Sequence, residues 1–417
     1  MKDIITRLPV SESKSADVLQ EILRSGAQKM LQQAIEAEVA DYLSAYSNER
    51  DENGYRLVTR NGRSKSRNIQ TGIGDVEVSQ PRVNDRRISS DGVRQRFQSS
   101  ILPPYLRRTK SIEELLPFLY LKGVSTGDFS EALSVLLGTD APGLSASTIV
   151  RLKEVWTSEF SQWNKRALED KNYVYIWADG VHFNVRLEED RLCVLVIIGA
   201  TEDGKKELIA VHEGYRESAM SWKEVLLDLR DRGLSIAPKL AIADGALGFW
   251  SALEEVYPET KRQGCWVHKT ANVLDKLPKS KQPQAKRMIH DIYLADTEHL
   301  ANEAFDRFIE VFEPKHIRAV ECLKKNRENL MAFYSFPAQH WLHLRTTNPI
   351  ESMFATVRLR TKRTKGCGSS QATMAMVFKL AMSAQKRWRR LNSAKLTADV
   401  IDARFIFEDG IRKDRAA

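Results

Sequence analysis

The sequence has little cysteine, no long apolar run and, over one C-terminal stretch, almost no acid. Four cysteines (Cys193, Cys265, Cys322 and Cys367) in 417 residues show no paired short spacing, which excludes a disulfide scaffold and fits reduced thiols in a cytosolic compartment. The opening segment MKDIITRLPVSESKS lacks the apolar centre of a secretory signal. The strongest apolar run, LCVLVIIGA, is far too short to span a bilayer and reads as a buried strand. No membrane partner is expected.

What the chain does have is positive charge in blocks. The formal net charge is +9 with a pI near 9.2, and its distribution says more than its total. Residues 60–110 hold 12 Lys or Arg against 4 acids, and residues 345–390 hold 11 against a single acid, Glu351. Two separated basic regions suit an extended polyanion touched at several places. With 42% apolar and 29% charged residues, a chain of this length can bury two or three cores.

Along the chain, residues 1–70 centre on a helix in which Leu19, Leu23, Ala27, Met30, Ile35 and Val39 recur at near-helical spacing. This is an amphipathic helix and a candidate dimer seam. Residues 71–110 read as a basic, partly mobile linker with a short β-hairpin around Ile73, Val76 and Val78. Residues 111–168 are helical again. A helix from near Ser125, a turn through Gly138, Pro142 and Gly143, and a helix capped by Ser145 resemble a helix-turn-helix, with Ser147, Thr148 and Arg151 on its recognition surface.

In residues 169–270 the texture changes to β. NYVYIWADGVHFNVR, RLCVLVIIGATED and KKELIAVHEGY predict an antiparallel meander, followed by a helix, the strand PKLAIADG, another helix and a fifth strand in KRQGCWVHK. The order βββαβαβ is what a ribonuclease-H-like core requires, a mixed sheet with helices on its faces. The expected fold is therefore an α/β catalytic core with a helical insertion at 271–343, a Glu-bearing helix within 344–395 and a peripheral charged tail at 396–417. A mainly helical DNA-binding region precedes it.

Three carboxylates stand out. Asp179 and Asp244 each end a strand-like run and precede Gly, which alone is ordinary turn chemistry. If their strands are neighbours, both side chains project to one point and can share divalent metal. Glu351 falls in TNPIES, where Asn348 as N-cap and Pro349 at the first helical position make it a capping-box acid. Beyond it Arg358, Lys362 and Lys365 follow in roughly one stripe. An acid leading a basic stripe suits a metal ion with phosphates lying along the helix. Phosphodiester chemistry asks for such a site, because two Mg²⁺ ions roughly 4 Å apart activate the nucleophile and stabilise the leaving oxygen.

WADGVHFNVR, ADGALGFWSALEEVYPETKRQGCWVHKTANVLDKLPK and RTTNPIESMFATVRLRTKRTKG resemble the bacterial insertion-sequence transposases of the Mutator type. The middle block is the most specific, joining Asp-Gly, a helix, Tyr-Pro and Cys-x-x-His in fixed order. The resemblance implies a ribonuclease-H-like fold with Asp179, Asp244 and Glu351 as an Asp-Asp-Glu triad, spaced 65 and 107 residues apart, holding two Mg²⁺ or Mn²⁺ ions. It implies strand cleavage and 3′-OH strand transfer on double-stranded DNA, at terminal inverted repeats and target, by a homodimer or higher oligomer at the bacterial nucleoid. DNA contacts would come from Ser147, Thr148, Arg151, Arg358, Arg360, Lys362, Arg363 and Lys365. Cys265 and His268 match the family's Cys-x-x-His element, in an accessory role; Trp341 is an accessory candidate that could stack on a distorted base beside the cleavage point, although a core position is the commoner use of such a residue. The alternatives are a nuclease that cuts without joining, and a catalytically silent DNA-binding regulator.

Overall fold

The computed structural model describes residues 12–89, 91–109, 111–112, 119, 146–184, 191–214, 216–245, 247–363 and 369–415. They form two compact units, Met1–Ile149 and Val150–Ala417. No helix among the described residues is long and apolar enough to cross a membrane.

In the first unit a 34-residue helix, α1 (Glu12–Ala45), packs on short strands β1 (Val58–Arg63), β2 (Arg67–Thr71), β3 (Gly74–Val78) and β4 (Pro81–Asp85). β2 pairs with β3 as the expected hairpin, and β1 pairs with β4 around it. Far from being a partly mobile linker, this stretch has a core: Ile35, Ile69, Val76, Val78 and Leu102 are buried together. Its arginines are used structurally. Arg87 pairs with the buried Asp85 at 2.7 Å and lies over the Tyr46 ring, while Tyr42 donates to Asp85. The apolar pattern of α1 divides accordingly, with Ile35 and Val39 buried and Leu19, Leu23 and Met30 exposed. Most of the expected helix-turn-helix lies outside the described residues, which resume at α2 (Ala146–Asn164).

The second unit is built on a five-stranded mixed sheet in the order β7-β6-β5-β8-β9. β5 (Tyr173–Asn184), β6 (Arg191–Thr201) and β7 (Lys206–Gly214) form the antiparallel meander; β8 (Leu240–Ala243) and β9 (Lys261–Gly264) add in parallel beyond β5. Helices α3 (Ala219–Asp231) and α4 (Leu247–Val256) cover one face. Trp222, Val225, Phe249 and Leu253 pack there with Ile176, Ala178, Leu195 and Ile197. The other face is held by polar anchors in apolar surroundings: Trp177 Nε1 donates to the His343 carbonyl at 3.0 Å, and the Tyr175 hydroxyl meets His340 Nδ1 at 2.9 Å.

The last expected strand is shorter than KRQGCWVHK suggests, because the chain turns at Cys265 into α5 (Trp266–Leu274). Helices then follow through Leu344, and α11 (Asn348–Arg363) and α12 (Ser370–Gln385) return to the sheet. Between α5 and α11 in chain order stand α6 (Gln282–Tyr293), α7 (Glu298–Phe312), α8 (Ile317–Lys324), α9 (Arg327–Met331) and α10 (Trp341–Leu344). The C-terminal tail is not peripheral. Leu391, Thr397 and Phe407 are buried, the Leu391 N–H donates to the Gly204 carbonyl, and Gly410 packs against Ala338. Leu391→Ala should therefore destabilise this unit by about 2–5 kcal/mol, the range for truncating a buried leucine. Urea or thermal denaturation measures it, and a change below about 0.5 kcal/mol, the scale of surface substitutions, would contradict the packing.

Candidate active site

Asp179 and Asp244 meet because of strand register. β5 and β8 run parallel with Ala178 opposite Ala243, so the next residue on each chain comes at the same level. β8 stops there while β5 continues to Asn184 against β6. Side chains alternate along a strand, which puts Asp179 on the face of Trp177 and Phe183. Phe183 packs near Phe354 of α11, so the helix that carries Glu351 lies on that same face.

Glu351 is returned to the sheet by a link between α5 and α11. Thr347 donates its backbone N–H to Cys265 Sγ at 3.3 Å, and its hydroxyl lies 3.4 Å from that sulfur and 3.2 Å from Glu351 Oε1. The Trp266 N–H donates to the Arg345 carbonyl. The capping arrangement differs from expectation by one residue. The helix begins at Asn348, with Pro349 second, and the Glu351 carboxylate takes the Thr347 hydroxyl. Its place in the first turn is still electrostatically favourable for an anion.

His268 on α5 brings the compensating charge. Its Nε2 lies 3.9 Å from Glu351 Oε1. Hydrogen bonding to Cys265, with the charges of Asp179 and Asp244, lifts the imidazole to about 9 against the opposing effect of burial. Cys265, His268 and Glu351 offer ligand atoms within 4.8 Å of one another, a group that could hold a metal ion. Burial raises Asp179 to about 6; Asp244 and Glu351 add to the rise, and His268 and the Gly180 N–H oppose it. Two aspartates, a glutamate and an imidazolium thus act on one another electrostatically.

Sequence reasoning missed Glu217. It sits before Ser218, the N-cap of α3, and burial, then Asp244 and Asp179, push it up to about 7. No motif marks it; the available signal is topological. β7 runs parallel to β5 across β6, so residues just after β7 emerge at the sheet edge where Asp179 and Asp244 lie.

The remaining expected residues are scattered. Arg358 on α11 and Arg151 on α2 are exposed. Arg360, Lys362 and Arg363 lie on α11, and Ser147 and Thr148 on α2, with side chains outside the described set; Lys365 is outside the described residues altogether. Trp341 is a core residue, the commoner of its two expected uses, and not the base-stacking one. Its ring is 7% exposed, packs edge-on against Phe333 and Tyr334, and donates Nε1–H to the Phe336 carbonyl.

With this geometry in hand, residues 3–391 match the family described as "Transposase, Mutator family", a span that includes all the groups above. The chain belongs to the Mutator family of transposases. Among its relatives, the transposase for insertion sequence element IS6120 of Mycolicibacterium smegmatis is 50% identical over 299 residues, covering 72% of this chain and 92% of that protein. The transposase for insertion sequence element IST2 of Acidithiobacillus ferrooxidans is 49% identical over 265 residues, 62% of this chain and 87% of that protein. The transposase for IS256 in transposon Tn4001 of Staphylococcus aureus is 27% identical over 384 residues, 91% of this chain and 93% of its own length.

A carboxyl raised in the fold binds its proton more tightly than in the unfolded chain. This transposase should therefore gain stability from Asp179 below about pH 4, the unfolded value, and lose it as pH rises through about 6. Asp179→Asn should raise the unfolding free energy of chelator-treated protein at pH 7.5, by at most on the order of 2–3 kcal/mol, and have no such effect at pH 4, as denaturant titration at the two pH values would measure. Equal shifts at both pH values would show that the carboxyl is not strained by its surroundings.

Proposed function

We propose that this Mutator-family protein is a DNA transposase that binds the terminal inverted repeats of an insertion sequence, hydrolyses a strand to free a 3′-OH and uses that hydroxyl to attack target DNA. The five-stranded sheet is read as a ribonuclease-H-like core. The observation that carries the proposal is the pairing of β5 with β8, which sets Asp179 beside Asp244 at the end of the parallel strands, on the face where α11 brings Glu351.

The donor set fits a hard divalent cation. Carboxylate oxygens suit Mg²⁺ or Mn²⁺, and burial, with smaller contributions from Asp244 and Glu351, disfavours the charge on Asp179 that a bound cation would stabilise. Asp179, Asp244 and Glu351 would hold the ions. Two such ions, once bound, supply an activated oxygen nucleophile and stabilise charge on the leaving oxygen.

The chain's own groups account for the rest. The Thr347 hydroxyl steadies the Glu351 carboxylate, and Cys265 secures Thr347. The His268 imidazolium offers positive charge to a phosphate oxygen beside the acids. Arg358, Arg360, Lys362, Arg363 and Lys365 would follow the DNA backbone from the site, while the helix-turn-helix with Ser147, Thr148 and Arg151 reads the element ends. Cleavage and joining are both in-line phosphoryl transfers, so one site serves both. Pairing two element ends calls for at least a dimer, and the exposed Leu19, Leu23 and Met30 of α1 are available for it.

Asp179→Asn, Asp244→Asn and Glu351→Gln should each lower Mg²⁺-dependent cleavage of the DNA flanking this gene by about a thousandfold or more, equivalent to about 4 kcal/mol of transition-state stabilisation. Binding to the same ends in a gel-shift assay should persist. Nicks mapped to the nucleotide supply the first readout, and pre-cleaved ends offered with target DNA test joining separately. Cleavage retained in any one variant removes that residue from the site.

A further inference from the structure

We infer that Glu217 is a fourth carboxylate of this site, facing the divalent cation together with Asp179 and Asp244. The inference rests on the metal-site reading above and extends it to a residue outside the Asp-Asp-Glu pattern.

The first observation is what the side chain rests on. Glu217 crosses the sheet edge directly over Gly180, the residue after Asp179. A β-carbon at Gly180 would stand 2.5 Å from Glu217 Cγ, 2.6 Å from Cδ and 2.8 Å from Oε1, closer than such contacts allow. Gly180 has an ordinary backbone conformation, so its lack of a side chain is explained by the approach of Glu217 rather than by a turn. A second glycine serves the same residue. A β-carbon at Gly248, at the start of α4, would collide with the Glu217 carbonyl and stand 2.8 Å from the Ala219 nitrogen. Gly180 thus makes room for the Glu217 side chain, and Gly248 for the Glu217 backbone at the entry to α3.

The second observation is direction. Alternation along β5 puts Gly180 and His182 on the face opposite Asp179, and Glu217 Oε1 lies 3.5 Å from His182 Nε2. Glu217 therefore reaches the edge from the α3 and α4 side, whereas Glu351 comes from the α11 side. Four acids approach the end of β8 from both faces. The charges of Asp179 and Asp244 both act on Glu217, and its own charge, with that of Asp179, helps burial push the neighbouring Cys193 thiol up to about 12. Holding a half-buried glutamate beside two aspartates is unfavourable by itself, and a shared divalent cation reverses the sign of that interaction.

Mn²⁺ binding to the full-length chain without DNA, followed by calorimetry and by the loss of the free-ion paramagnetic resonance signal, tests this directly. Glu217→Gln should weaken Mn²⁺ binding about tenfold or more, the scale for a lost metal-site partner, and raise by a similar factor the Mn²⁺ concentration needed for half-maximal cleavage. Without metal the variant should melt no lower than the parent, since a like charge has been removed. Gly180→Ala, which removes no carboxylate but displaces Glu217, should weaken Mn²⁺ binding in the same direction. Unchanged Mn²⁺ affinity in Glu217→Gln, or a lower metal-free melting temperature, would overturn the assignment and make Glu217 a structural residue. Asp179→Asn separates the two levels. If it abolishes Mn²⁺ binding while Glu217→Gln does not, Glu217 alone is wrong; if Asp179→Asn also binds normally, the metal-site reading falls with it.

Discussion

The parallel register between β5 and β8 is the constraint on which the site depends. It sets two aspartates at one level, where like charges repel and burial disfavours the charge on Asp179. A slip of one residue would carry Asp179 to the opposite face. The register is secured from both sides: Ile176 and Ala178 are buried under α3 and α4, and Tyr175 and Trp177 are tied by hydrogen bonds to His340 and His343. Breaking those bonds would leave buried polar groups without partners, a cost that slippage does not recover. Conformational precision at the acids therefore derives from ordinary packing several residues away.

The long interval between Asp244 and Glu351 is bridged by the helical insertion, which does more than separate the two. It is keyed to the last strand. Gln263 Nε2 and Trp266 Nε1 both donate to the Leu330 carbonyl, and the Phe333 N–H donates back to Gln263 Oε1. From there the chain passes through the Trp341 cluster to Thr347, whose bonds to Cys265 stitch the start of α11 to the end of β9. Cys265 thus has a structural use that does not depend on ligation, and its place beside His268 and Glu351 leaves that sulfur close enough to sense the site.

Much of this was legible in the sequence. Continuous apolar runs announced the strands and their order announced a mixed sheet; Asp-Gly marked Asp244 at the end of β8, whereas Asp179 lies within β5, which runs on to Asn184. What escaped had a physical reason. Glu217 stands in GYRESAM, where a lone acid looks like solvated surface, and only the sheet topology brings it to Asp179. The basic segment at 71–110 read as a linker because charge counts do not reveal that Arg87 is committed to Asp85 and two tyrosines. The tail read as peripheral because its buried residues, Leu391, Thr397 and Phe407, are isolated in a polar sequence. Trp341 read more readily as core than as a stacking residue, and its neighbours agree.

The most direct test of the shared-cation account is anomalous diffraction from crystals grown with Mn²⁺. The account predicts manganese density bounded by the carboxylates of Asp179, Asp244 and Glu351. Density confined to Cys265 and His268, with the two aspartates unligated, would contradict it.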